Sequence, residues 1–218
     1  MKPIYLKLSK PFEEQLPAEA SRFWGNPALP KGMPYPTYID DEGDEYPYAF
    51  VCQINLGALA EFCGKDGNPL PAKGLLLFFA KIDHYLGLFA ATDCVGGYIS
   101  EPEAVKVVYI EDCSELREVV LVDDDDRQLS PEEMEISFTR EHEPLGDDHA
   151  LFARPDHREW ETWDAPYEDW EILLQVDSFA GMDFNLNFMD CGVLDFLIAP
   201  EALRARDFSS VRAIVLST

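Results

Sequence analysis

Cys52-Gln53-Ile54-Asn55-Leu56, then a loop, then Gly74-Leu75-Leu76-Leu77-Phe78-Phe79, returns later in the chain as Leu174-Gln175-Val176-Asp177-Ser178, a loop, and Gly192-Val193-Leu194-Asp195-Phe196-Leu197. Each copy closes one apolar run with Gln-aliphatic-Asn/Asp and opens the next with glycine and a Leu-x-Phe pattern. Self-similarity this specific predicts two structurally related halves and is read before any other signal. The halves are expected at about 21–122 and 131–218, within one domain over 1–218.

Strand-like runs extend outward from these segments. They cover Ile4 to Lys7, Tyr46 to Ile54, Gly74 to Ile82, Leu86 to Ala91, Ala104 to Ile110 and Leu116 to Val122, and then Trp170 to Asp177, Phe184 to Phe188, Gly192 to Ile198 and Arg212 to Leu216. Asn55 supplies a capping acceptor for a short helix over Leu56 to Cys63 that Gly64 stops. Pro200 opens another, ending in Arg204 and Arg206, where cations suit the helix dipole. Ser130, Pro131 and Glu133 have the spacing of a capping box and predict a third helix start. Ser21 to Pro36 carries four prolines and two glycines and reads as a fixed irregular loop. Asp40 to Glu45 around Gly43 reads as a hairpin turn, and Glu141 to Tyr167 as a long polar connection or lid. Short links between many strands predict an α+β fold of mostly antiparallel or mixed sheets with short helices, internally duplicated.

The charge is uneven. The 218 residues carry a formal −25, with 14 acids against 9 bases up to residue 110 and 28 against 8 beyond it; no lysine follows Lys106. That field opposes binding to nucleic acid and to anionic membranes, which requires cations on phosphate. It suits either steering toward a basic partner or a solvated surface. The first residues lack a signal-peptide pattern and no stretch is long and apolar enough to span a bilayer, so a cytoplasmic location is expected. The five cysteines form no Cys-x-x-Cys pair; Cys52 and Cys191, beside apolar runs, read as reduced core thiols.

Candidate sites follow from the repeat and from the charge. Gln53, Asn55, Gln175 and Asp177 end equivalent strands and, with Arg22, form a candidate ligand-binding set if the halves bring them together; otherwise each caps its own turn. Asp123-Asp124-Asp125-Asp126 reads as an exposed acidic loop. With Trp160 and Trp163 it is the candidate surface for a basic partner, rings supplying anchoring area and carboxylates supplying steering; the aromatics would equally serve as a cover over the core. His142, His149 and His157 are spaced unlike a zinc site, and they and His84 read as loop histidines. No nucleophile elbow, phosphate loop or dinucleotide fingerprint occurs. The chain therefore reads as a non-enzymatic binding protein without metal or cofactor, the alternative being a small-ligand binder or enzyme using a polar region between the halves.

Ser21-Arg22-Phe23 with Gly25, Pro27 and Leu29-Pro30, the two repeated segments, and Leu203-x-Ala205-x-Asp207-Phe208-Ser209-x-Val211 together resemble the YwqG-like family of bacterial proteins of unassigned function. His142 with Leu145-Gly146 is similar to a short motif of that family. The resemblance covers residues 21–80 and 142–216. Trp24 stands where a glycine is usual, Pro34-Tyr35-Pro36 where Trp-Pro is usual, and Phe188 where a tryptophan is usual. The resemblance implies a fold rather than a reaction, and the occurrence of similar proteins near secreted toxins implies an immunity-type inhibitor.

Overall fold

A computed structural model describes residues 2–12, 15–86, 95–143, 146–154 and 163–217. In chain order its strands are β1 (Ile4–Ser9), β2 (Arg22–Phe23), β3 (Ala28–Pro30), β4 (Thr37–Ile39), β5 (Glu45–Pro47), β6 (Ala49–Asn55), β7 (Leu75–Ala80), β8 (Val105–Ile110), β9 (Leu116–Glu118), β10 (Met134–Thr139), β11 (Ala150–Leu151), β12 (Glu171–Asp177), β13 (Phe179–Ala180), β14 (Asn185–Leu186), β15 (Val193–Ile198) and β16 (Arg212–Leu216). Helix α1 (Leu56–Cys63) follows β6, and α2 (Pro200–Ala205) follows β15. Ten strands form one sheet in the order β16-β15-β12-β11-β1-β10-β2-β6-β7-β8, every pair antiparallel.

The expectation of an α+β fold is corrected here. Strand makes up 37% and helix 12%, and the large sheet curls until it is nearly closed. The two α-helices are eight and six residues long. They fill turns between strands and form no layer, because the sheet buries its apolar face against itself. The remaining gap lies between the edges β16 and β8. Residues 96–104 lie across it: Val215 N–H donates to the Gly96 carbonyl, Ser100 N–H to that of Ala213, and Lys81 N–H to that of Ala104.

The sheet order reads as a palindrome about the β1/β10 pair, and the registers match on both sides. Gln53 pairs with Arg22 and Leu77 on one side, Gln175 with Ala150 and Asp195 on the other. β6 breaks register between Phe50 and Cys52, and β12 between Ile172 and Leu174. Trp24 and Phe152 both adopt a left-handed φ of 54° and donate their N–H to Val51 and Leu173, the bulged residues. Gly74 and Gly192 are required for one reason. A Cβ at Gly74 would meet the Ile110 carbonyl oxygen at 2.2 Å, and one at Gly192 the Leu216 oxygen at 2.0 Å. The central equivalents are exchanged, since β1 pairs with β11 of the later half and β10 with β2 of the earlier one.

Alternation divides the side chains. Leu76 and Phe78 of β7 and Leu194 and Phe196 of β15 point into the main core; equivalent rings Phe78 and Phe196 meet there with centroids 5.2 Å apart. Their neighbours point outward, under two different covers. On the earlier half, Leu75, Leu77, Phe79 and Phe50 lie beneath Ala28, Leu29, Tyr38 and Tyr48. On the later half, Ile172, Leu197 and Ile214 lie beneath Trp163, with Tyr167 and Trp170 packed alongside.

Other expectations are corrected by the same contacts. No helix starts at Ser130. Pro131 to Glu133 lead directly into β10, because the Glu133 carboxylate is taken by Arg22 and by the Leu16 N–H. Ser21 to Pro36 and Glu141 to Tyr167 each contain strand, β2 with β3 and β11 respectively. Leu86 ends a 3₁₀ turn, and 87–91 of its expected strand lie outside the described residues. Cys191 is exposed rather than buried.

Candidate functional site

The repeated polar residues bond to backbone. Gln53 is fully buried; its Nε2 donates to the Ala18 and Ala20 carbonyls at 2.7 and 2.8 Å, and its Oε1 accepts from Ala28 N–H at 3.0 Å. Asn55 caps α1 by accepting from Ala58 N–H and donates to the Glu19 carbonyl. Arg22, with 0% exposure, donates from Nη1 to Glu118 at 2.6 Å and Glu133 at 2.8 Å and from Nη2 to the Pro17 carbonyl. Gln175 donates to the Asp148 carbonyl, and Asp177 accepts from Asp148 N–H. Sheet order sets β6 and β12 four strands apart, so Arg22, Gln53 and Asn55 do not converge with Gln175 and Asp177. These groups fasten entering chain to two separate places on the sheet.

The later copy is less completely filled. Ala150 stands where Arg22 stands in the earlier half, and beside it a polar cavity of about 310 Å³ is lined by Tyr5, His142, Asp148, Arg154 and Gln175. Among the described residues the Gln175 Oε1 there has no partner, whereas its counterpart on Gln53 has one.

His149 corrects the reading of loop histidines. It is buried, occupies the place of Ser21, and accepts the Asp177 N–H on Nδ1 at 3.0 Å as the Ser21 hydroxyl accepts that of Asn55. Its proton therefore sits on Nε2. Burial pushes its pKa down to about 3, and the rings of Phe23 and Phe179 pack on it at 5.1 and 4.7 Å. His142, exposed, pairs with Asp148 at 2.6 Å; His157 lies outside the described residues. Among the described residues no group of three or more His, Cys, Asp or Glu could hold a metal ion.

The partner-surface candidates separate. The acidic run forms a hairpin turn: Asp123 accepts from the N–H groups of Asp125 and Arg127, Asp126 takes a φ of 62°, and Val122 bridges Gln128. Asp124, Asp125 and Asp126 are exposed and Asp123 is partly buried. Trp163 is buried, donating its indole N–H to the Trp170 carbonyl, and so belongs to the outer cover. Trp160 lies outside the described residues.

A cleft of about 380 Å³ opens on the earlier half between its outer cover and this hairpin. Trp24, Tyr35, Tyr46, Tyr48 and Phe50 supply rings; Leu86, Leu121 and Leu129 supply aliphatic surface; Asp83 and Ser130 are polar. Trp24, at a positive φ, contributes to this lining and packs edge-on to Phe184 at 5.4 Å; among the described residues its buried indole Nε1 has no hydrogen-bond partner. Tyr35 donates its hydroxyl to the Tyr48 carbonyl; burial first and the Asp83 charge second push its pKa up. Burial raises the Asp83 carboxyl to about 6. Concave, mostly apolar space with few polar groups is the form of a small-molecule site. No sequence pattern announced it, since its walls come from five separated segments; the unusual Trp24 and Tyr35 were the available signal.

The sequence profile described as "Domain of unknown function (DUF1963)" matches residues 21–151 and 145–215. The chain belongs to the DUF1963 family. No curated protein matches it. Both matched stretches of this DUF1963 chain carry the repeated strands, and the earlier one includes most of the cleft. No helix among the described residues is long and apolar enough to cross a membrane.

Proposed function

We propose that this protein binds a small, largely apolar organic molecule in the cleft bounded by Trp24, Tyr48 and Phe50. The observation that carries this reading is the cleft's surface, which is mostly aromatic and aliphatic with few polar groups. No catalytic motif stands beside it, and the reading is of binding rather than chemistry. It fits a YwqG-like protein acting in a bacterial cytoplasm. Nile red fluorescence tests it. The dye is expected to bind the wild-type protein at one site and to lose that site in Leu129→Trp, which fills the cleft from its rim; dye binding unchanged in that variant refutes the reading.

A second reading has its own support. Val120 and Val122, each 49% exposed, lead into the Asp123–Asp126 turn, whose Asp124, Asp125 and Asp126 are exposed, an apolar surface with an acidic tip suited to a basic protein, as in an immunity-type inhibitor. Affinity for a cationic target that weakens as salt rises, and falls when the four aspartates become asparagines, is its expected outcome; salt-independent binding argues against it.

A further inference from the structure

The cleft's rings and charges point one way. Among the described residues its lining includes one acid, Asp83, and no lysine, arginine or histidine. The acidic tips of two hairpins lie beside it. Leu121 and Leu129, in the lining, flank the Asp123–Asp126 turn. Tyr46, also in the lining, has its hydroxyl pKa raised by desolvation first and then by the charges of Asp40, Asp44 and Glu42. Among the described residues Asp83 forms no ion pair, and burial holds its carboxyl above the usual range. A carboxylate kept in such surroundings is stabilised by any cation that enters.

The same tyrosine cluster already holds one ammonium group. Lys81 Nζ sits 4.3 Å from the centre of the Tyr38 ring. Tyr38 in turn packs against Tyr48 at 4.8 Å and Tyr46 at 6.0 Å, the two tyrosines that carry the surface into the cleft. Aromatic faces attract cations through their quadrupoles, and strongly so where water is excluded. Anions, by contrast, meet Asp83 and two acidic tips.

We propose that the ligand of this cleft is an organic cation, an alkylated ammonium group held among the Trp24, Tyr46 and Tyr48 rings that line the cleft together with Asp83. This rests on the small-ligand reading and adds its charge class. Quaternary or heavily alkylated ammonium suits the site better than a primary amine, because aromatic walls replace few of a primary amine's hydrogen bonds to water while losing little with methylated nitrogen.

Acetylcholine and its neutral carbon isostere, 3,3-dimethylbutyl acetate, test the charge class as probes; they share shape and ester acceptor and differ only in charge. Calorimetric or NMR titration of the full chain at pH 7.5 is expected to show acetylcholine binding at least tenfold more tightly. Asp83→Asn, whose melting temperature serves as the folding control, is expected to reduce that ratio below about threefold. At pH 5 the wild-type ratio is expected to fall as Asp83 protonates, while that of Asp83→Asn stays constant. Equal or tighter binding of the isostere overturns the cation assignment and leaves a neutral ligand. Nile red bound in the cleft with neither ester binding also overturns it, whereas failure of dye and esters alike removes the cleft reading itself.

Discussion

The two halves of the molecule keep one backbone and fill it differently. On both, a two-residue strand lies against a bulged strand, a left-handed residue turns the chain over the bulge, and a glycine admits the carbonyl of the last strand. The outer surfaces then diverge. The earlier half carries a buried Arg22 with two glutamates and a tyrosine-rich cover that leaves a cleft; the later half carries Ala150 and a tryptophan cover closed by an internal hydrogen bond. Hydrogen-bond register thus defines the shared architecture, while the outward residues, free of that constraint, are where the halves diverge.

Substitutions at equivalent positions test how far the two halves are interchangeable. Arg22→Ala gives the earlier half the later half's residue but strands two carboxylates and the Pro17 carbonyl; a loss of about 3–5 kcal/mol is expected in urea unfolding. A loss below about 1 kcal/mol would make the cluster incidental. Gly74→Ala and Gly192→Ala are each expected to cost more than about 2 kcal/mol, since both force a Cβ into a neighbouring carbonyl. Gly74→Ala has the larger effect, because its φ of 93° adds backbone strain.

Gln53→Leu and Gln175→Leu form the next pair. The first removes three hydrogen bonds, one buried and two part-buried, from three backbone groups; the second removes one and relieves an unpaired oxygen. A difference of about 2 kcal/mol or more is expected between them. Equal costs would show that the two glutamines serve alike despite their partners. The smallest effect concerns Ser21 and His149. The His149 pKa is lower when folded, about 3, than its ordinary 6.5. Its unfolding penalty is therefore absent above pH 6.5 and grows as pH falls through that window, the unfolded chain binding the proton more readily. His149→Ser, copying the earlier half, is expected to lose less stability between pH 7 and pH 5 than the wild type loses.

Much of the sheet was legible in the residues. Gln-aliphatic-Asn/Asp and Gly-aliphatic-Leu-x-Phe marked β6, β7, β12 and β15, and Asn55 with Gly64 bounded α1, because period-two apolar runs and caps act over a few residues. β2 and β11 were not legible. At two residues each they show no period, yet they join the outer strands to the central pair. The capping box at Ser130 failed for a related reason, as a distant arginine claimed Glu133. The fold class was misread because sheet closure is a property of ten strands together, invisible in any one. Arg22 and Gln53 stood out in the sequence as polar residues beside apolar runs, but their partners at residues 16–20, 28, 118 and 133 depend on tertiary placement. The cleft shares that dependence.

The exchange of β1 and β10 bears on how the chain comes into being. A ribosome delivers β1 first, but both strands that flank it emerge only after residue 133, so until then its polar backbone edges have no protein partner. Closing so long a loop is entropically costly and slow. Neither half can complete its sheet alone, and assembly of the centre becomes a late, cooperative event. A nascent chain halted before β11 would present an unpaired strand edge, the feature that invites self-association and chaperone capture.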